Sequence, residues 1–451
     1  MTRSRCSKWL GLLLLTGCGE GSGFSEPPAP TLDAELRQSI ESWGVIPIGP
    51  VPEHDPAMVA LGQALFFDKI LSGNRDIACG TCHQPEISLG DGLSLAVGTG
   101  GEGVGPARTL GPGREFVPRN APTLLNSGIG LFYMFWDARL SGFGGGVFTA
   151  DSGQILPGGL PNLLTAQAML PVLNRREMRG EPGDTDVLGN PNELAAFADD
   201  QSEQIWQAVM DRVLAIPEYV RLFGDAFPGT PTASLRFEHA ARAIATFQTA
   251  AFTATGSPFD RYLDRNDAAL TTQEKRGALL FFDEARCAFC HNGPFLGANG
   301  FANVGAPQVG PGGARQPPLD LGRGEIEDFE FYRFAFRVAP LRNVELTAPY
   351  THSGAYATLE NVVRHYNDVP EALRTYDVTQ LSPALRDMYH GDEATIAEVL
   401  STLDGRVGIP LDLSDEAMED IVAFLKSLTD PAARNLGALV PDRVPSGLAV
   451  R

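Results

Sequence analysis

Cys79-Gly-Thr-Cys-His83 decides how this chain is read. Two cysteines separated by two residues and followed at once by histidine form the attachment pattern of a c-type haem. The cysteines join the porphyrin vinyl groups as thioethers, and the adjacent imidazole is held beneath the iron as its proximal ligand. The pattern recurs as Cys287-Ala-Phe-Cys-His291. Other readings of the cysteine pairs fail on context. A structural zinc site brings its two pairs within roughly 15–20 residues of each other, whereas these stand about 210 residues apart. A thioredoxin-like pair needs a βαβ setting and leaves both histidines unexplained.

The residues upstream are duplicated as well. Gly62-Gln-Ala-Leu65-Phe66-Phe67-Asp68 precedes the first motif, and Gly277-Ala-Leu-Leu280-Phe281-Phe282-Asp283 precedes the second. Asp55-Pro56 reads as N-cap and first turn of the first helix. Thr271-x-x-Glu274 is a capping box for its twin. Further helices are expected over 203–214 and 234–252, and from Ser414 to about Leu428, where Pro431 ends the last one. Residues 84–163 and 293–325 are rich in Gly and Pro and read as ordered loops; no alternating pattern supports a sheet. The expected fold is all-α, two cytochrome c-like haem domains with long Gly/Pro-rich loops. The boundaries are a signal segment 1–17, a flexible tether 18–33, an N-terminal domain 34–252, a C-terminal domain 253–430, and a tail 431–451 extended over the surface.

The 451-residue length, 43% hydrophobic content, 50 Gly and 34 Pro suit a loop-rich globular pair of domains. A formal charge of −20 with scattered acids argues against nucleic acid, whose phosphates need a basic face. It suits steering of a basic protein partner. Arg3, Arg5 and Lys8 followed by the apolar run Leu10 to Leu15 read as an export signal. Leu15-Thr16-Gly17-Cys18 looks like a bacterial lipobox, with Cys18 lipidated; an ordinary signal peptide cut nearby is the other reading. The expected location is the periplasmic side, with the membrane touched only through that lipid. Cys6 leaves with the signal and Cys18 takes lipid, so the remaining four cysteines all belong to the two haem motifs.

The flanking stretches carry a resemblance. Arg119-Asn-Ala-Pro-Thr-Leu-Leu-Asn126, Phe135-Trp136-Asp137-Ala-Arg139 and Asn174-Arg-Arg-Glu177-Met178 lie after the first motif. Pro340-Leu-Arg-Asn343-Val-Glu-Leu-Thr347-Ala-Pro349-Tyr350 and Thr358-Leu-Glu-Asn-Val-Val-Arg-His-Tyr366 follow the second. From about residue 55 to 430 the chain resembles the bacterial di-haem cytochrome c peroxidases, including their MauG-like branch. The resemblance implies two helical haem domains facing each other across an interface that holds calcium. It implies His83 and His291 as proximal iron ligands, and Glu177 over the open face of the first haem as the acid–base group for hydrogen peroxide. Trp136 would relay charge between the haems. Asn120 with the carbonyls of Thr347 and Pro349 would hold the calcium.

Two departures sharpen this. No histidine occurs between His83 and His239, so the first haem lacks the histidine that caps many resting peroxidases; Met134 and Met169 are the remaining candidates. At the position where electron-accepting peroxidases place methionine stands Tyr366, or His365 if the alignment slips by one. A phenolate stabilises oxidised iron where a thioether favours reduced iron. Three functions follow. One is peroxide reduction to water at the expense of a donor such as a small cytochrome c. Another is peroxide-driven modification of a tyrosine or tryptophan on a partner protein. The third is a non-catalytic electron carrier.

Overall fold

The computed structural model describes residues 30–143, 146–149, 156–297 and 300–451. Cys18, the export signal and most of the tether lie outside these residues. The helices around which the two motifs are built, in chain order, are α1 (Leu32–Ser42), α2 (Pro56–Phe67), α3 (Ser202–Leu214), α4 (Pro217–Ala226), α5 (Phe237–Ala251), α6 (Thr272–Phe282), α7 (Leu359–Asn367) and α8 (Asp415–Ser427). Their starts follow the expected chemistry. Asp55 accepts from the Ala57 N–H at 2.9 Å, and Ser414 accepts from Ala417 at 3.2 Å. Thr271 and Glu274 close a reciprocal capping box.

The duplicated segments build two equivalent helix crossings. A side chain at Gly62 of α2 would overlap the carbonyl oxygen of Ala243 in α5, and one at Gly277 of α6 would overlap that of Asp420 in α8. Each glycine is therefore what lets two helix backbones touch. Beside each crossing the Phe-Phe pair interlocks with other rings. Phe66 meets Phe247 and Phe252 at centroid distances of 5.6 and 5.3 Å, and Phe281 and Phe282 meet Phe424 at 5.2 and 5.8 Å. Such pairs add roughly 0.5–1.5 kcal/mol each beyond the area they bury.

Two main hydrophobic cores result, one around α2 to α5 and one around α6 to α8. They do not follow the order of the chain. Leu36 and Ile40 of α1, ahead of the first motif, are buried in the second core. Ala433 and Val444 of the C-terminal tail are buried in the first. The duplicated aspartates receive these ends. Asp68 accepts from the Ser446 hydroxyl at 2.6 Å, and Asp283 accepts from the Ser39 hydroxyl at 2.6 Å. The tail is thus docked, with short turns at Pro431–Arg434 and Gly437–Leu439.

The fold is mainly α, and the expectation of no strands needs correction. β1 (Tyr133–Met134), β2 (Leu140–Phe143) and β3 (Gly146–Thr149) form an antiparallel ribbon, and β4 (Phe301–Ala302) pairs with β5 (Phe336–Arg337). Met134 sits opposite Leu140, both buried. Runs of two to four residues among glycines are too short to show a period-two pattern.

Candidate functional site

The first motif opens onto a cavity of about 710 Å³, within the size range of cofactor clefts. Cys79, Cys82 and His83 line it together with Asn120, Met134, Trp136, Arg139, Gln167, Asn174, Glu177, Gln248 and Arg337. His83 is the one histidine in this wall. The structure therefore brings together Cys79, Cys82, His83, Glu177, Trp136 and Asn120. Met134 also lines the cavity, whereas Met169 does not; its carbonyl accepts from the Trp206 indole at 2.9 Å.

The motif is seated by the helix before it. The Phe67 ring fills the space a side chain at Gly80 would need, while Phe66 faces the cavity. His83 Nδ1 lies 3.1 Å from the Leu89 carbonyl, and His291 Nδ1 lies 3.0 Å from the Leu296 carbonyl. A carbonyl can only accept, so each Nδ1 carries the proton and each Nε2 keeps its lone pair for a metal. Both leucines are fully buried and adopt left-handed backbone, with φ of 64° and 52°. That conformation is uncommon for leucine, and its repetition at matching places ties it to orienting the histidine. Burial pushes both imidazoles down to about 4, against the pull of their carbonyl partners, which keeps them neutral as ligands must be. Burial likewise pushes the Cys79 and Cys287 thiols up to about 12. Thiols so held disfavour a metal thiolate, whereas thioether formation leaves no anion to bury.

Glu177 stands on a single π-helical turn, Arg175–Arg179, a form frequent at functional sites. Asn174 caps the turn, accepting from the Arg176 and Glu177 N–H groups at 3.0 and 3.2 Å. Its amide donates to Glu177 Oε1 at 3.1 Å. Two loops clamp the turn from outside. Gly73 donates to the Met178 carbonyl at 2.7 Å, and Thr99 donates to the Glu177 carbonyl at 2.9 Å. Glycine is required at 73 and 98, where any side chain would overlap the carbonyls of Arg179 and Arg176. Burial raises the Glu177 carboxyl above its usual range, opposed in part by Arg139.

The cavity wall is polar where a carboxylate-bearing cofactor needs it. Arg337 Nη1 and Gln248 Oε1 are buried without a hydrogen-bond partner, and Arg337 has no carboxylate facing it among the described residues. Burial alone pulls its guanidinium down to about 10. The orphaned Arg337 guanidinium fits a haem propionate, whereas Gln248 Oε1 can only accept and suits a water or hydroxyl donor. Neither residue stands out in the sequence. Gln248 is the polar member of an otherwise apolar stripe with Ile244, and the Leu-Gly pairs at 89–90 and 296–297 are the signal that could have located the histidine acceptors.

Around the second motif, Tyr366 is half-buried with its hydroxyl free of protein partners among the described residues. Burial raises its phenol well above the usual range, and the nearby Cys290 and Cys287 sulfurs raise it further. His365 has both ring nitrogens engaged, Nδ1 at 2.8 Å from the Tyr356 hydroxyl and Nε2 at 2.8 Å from the Val304 carbonyl. Trp136 donates its indole N–H to the Asn120 carbonyl at 2.9 Å. Asn120 donates its backbone N–H to the His352 carbonyl at 2.7 Å and its side-chain amide to the Leu93 carbonyl at 2.8 Å. Thr347 and Pro349 lie outside the cavity wall, on the segment leading to His352. Arg119 bridges Asp137 and Asp320 at 2.5 and 2.6 Å, linking the loops of the two halves.

A chain with two such motifs, each with its histidine anchored through Nδ1, and a buried carboxyl facing the first is that of a di-haem c-type redox enzyme. A family profile described as di-haem cytochrome c peroxidase matches residues 56–268, and the chain belongs to that family, the oxidoreductases of cytochrome c peroxidase type. It is 33% identical over 305 residues to the cytochrome c551 peroxidase of Pseudomonas aeruginosa, covering 67% of this chain and 69% of that protein. It is 29% identical over 387 residues to the methylamine utilization protein MauG of Methylorubrum extorquens, covering 85% and 82%. Among solved structures, a MauG-like protein associated with microbial copper homeostasis superposes with TM-score 0.58 at 26% identity, covering 87% of this chain and 95% of that one.

Proposed function

We propose that the cavity between His83 and Glu177 is where this di-haem peroxidase reduces hydrogen peroxide to water, drawing electrons from an external donor such as a small cytochrome c. The observation that carries this is the shared cavity: a histidine anchored through Nδ1 on one wall, and a buried carboxyl with no competing histidine on the others. The cleavage of the O–O bond is the redox chemistry that a haem iron supplies when bound. The chain's own part is positioning and proton transfer. Cys79 and Cys82 would hold the porphyrin covalently, His83 Nε2 would ligate the iron, and Arg337 would face a propionate. Glu177 Oε1 is occupied by Asn174, so Oε2 is the atom that takes the proximal proton of peroxide and returns it to the departing oxygen. Mixing the as-isolated holoenzyme with peroxide and reduced cytochrome c should oxidise the cytochrome at two equivalents per peroxide. Peroxide consumed with the cytochrome left reduced would refute a cytochrome donor.

Cys287, Cys290 and His291 would hold the second haem, with Tyr366 as its sixth ligand. The engaged nitrogens of His365 and the unpartnered Tyr366 hydroxyl support that choice. Trp136, anchored to Asn120, would carry charge between the two centres. A phenolate at the second iron favours holding oxidising equivalents, and so gives weight to a second reading, peroxide-dependent modification of tyrosine or tryptophan on a partner protein. Tyr366→Phe should change the low-spin EPR signal of the second haem, while His365→Asn should leave it in place; the opposite pattern exchanges the two residues. Calcium held by Asn120 and the carbonyls of Thr347 and Pro349 fits the donor chemistry, since the Asn120 amide nitrogen is occupied and its oxygen remains available. No helix among the described residues is long and apolar enough to cross a membrane. A lipid on Cys18 would anchor the enzyme on the periplasmic side, which labelling with radioactive palmitate would test.

A further inference from the structure

Behind the cavity wall a line of aromatic rings runs outward. The Trp136 carbonyl accepts the Arg337 N–H at 2.8 Å, and Arg337 pairs directly with Phe301 across the β4–β5 ribbon. Phe301 thus lies one strand pairing away from Trp136. Its ring centroid is 4.9 Å from that of Tyr133 and 5.8 Å from that of Tyr332, edge to face in both cases. Tyr133 is three residues before Trp136, which limits the separation of their Cα atoms to about 11 Å. At the outer end, Tyr332 meets Phe331 at 4.1 Å and Phe329 at 6.0 Å. Those two phenylalanines are 65% and 57% exposed, unusual for rings of that size. Arg323 holds the line in place. Its guanidinium lies 5.0 Å from the Phe301 centroid and donates to the Ala138 carbonyl at 2.6 Å.

We propose that Tyr133 and Tyr332, bridged by Phe301, carry one-electron oxidation from the Trp136 side of the cavity to the surface, where Tyr332 is the residue that meets an external reductant. This rests on the reading that the cavity reacts with peroxide. Tyrosine and tryptophan are the side chains that lose an electron within reach of peroxide chemistry; phenylalanine is not, and serves here as packing between two tyrosines. In each event Tyr332 passes one electron inward and releases its phenolic proton to water. The reductant then returns one electron and solvent one proton. Two events supply the two electrons that, with two protons taken up from solvent, convert one peroxide to two waters. The reductant such a terminus fits is an electron-rich aromatic, which stacks on the exposed phenyl faces of Phe329 and Phe331.

The test is to add peroxide to the holoenzyme with a nitroso spin trap, digest with trypsin, and locate the adduct by mass spectrometry. The peptide 324–333 contains Tyr332 as its sole tyrosine. The adduct is expected on this peptide, absent in Tyr332→Phe and several-fold weaker in Tyr133→Phe. Both variants should keep the resting absorption spectrum, and the tyrosyl signal in freeze-quench EPR should fall in parallel. Peroxide consumption without an adduct on 324–333 overturns the relay, as does labelling of Tyr332 undiminished by Tyr133→Phe. A holoenzyme that consumes no peroxide at all overturns the peroxidase reading, and the relay with it.

Discussion

At position 177 a carboxyl is buried on a turn whose cap, Asn174, also holds one of its oxygens. Its raised pKa has a definite sign in the pH profile. The base form is needed to take a proton, and it is lost as pH falls through a value above the usual carboxylate range. The acid limb of kcat/KM for peroxide should therefore sit above that range. Glu177→Gln should remove the limb and lower the rate by about 10²–10⁴-fold, as stopped-flow measurements across pH would show. The same shift makes the folded protein bind the proton more tightly than the unfolded chain, so this group favours folding less as pH rises through it. At this scale the sequence was most informative where chemistry is covalent or motif-bound, as at Cys79, Cys82 and His83. Arg337 and Gln248 were invisible because their meaning lies in lacking a partner, a property of the packed interior.

The helices carry a different lesson. Asp55, Thr271 and Ser414 announce helix starts locally, through side-chain oxygens that meet the first free N–H groups. The shared Gly-x-x-Leu-Phe-Phe-Asp register was legible as a repeat, yet its glycine acquires a reason only from the helix lying across it. Gly62→Ala should destabilise the protein by about 1–3 kcal/mol, because the added methyl meets the Ala243 backbone. Gly224→Ala in α4 meets nothing within 4 Å and should stabilise by roughly 0.5–1 kcal/mol. Chemical denaturation of the two variants should give shifts of opposite sign; equal signs would count against the crossing. The β1–β3 ribbon was missed for the converse reason. Its pairing is set by the chain folding back through glycines, not by side-chain alternation.

Across the whole molecule the two halves exchange ends. Helix α1 completes the core that holds the second motif, and the tail completes the core that holds the first. Nothing local reveals this. Residues 34–45 and 431–451 sit on the wrong side of their partners in sequence, and only tertiary burial assigns them. Leu36→Ala should therefore cost about 2–5 kcal/mol and disturb the spectrum of the second haem more than that of the first. Val444→Asp should do the reverse. Magnetic circular dichroism during thermal unfolding would separate the two haems and check both.

Asp68 and Asp283, each gripping a serine from the far end of the chain, also impose a timetable on biosynthesis. Helix α1 waits for a core whose other helices lie about 230 residues further along the chain. The core built around the first motif stays open until Ser446 arrives. Each core is complete only once its distant segment has docked, so both Cys-x-x-Cys-His segments stay open to the machinery that attaches haem until both segments are in place.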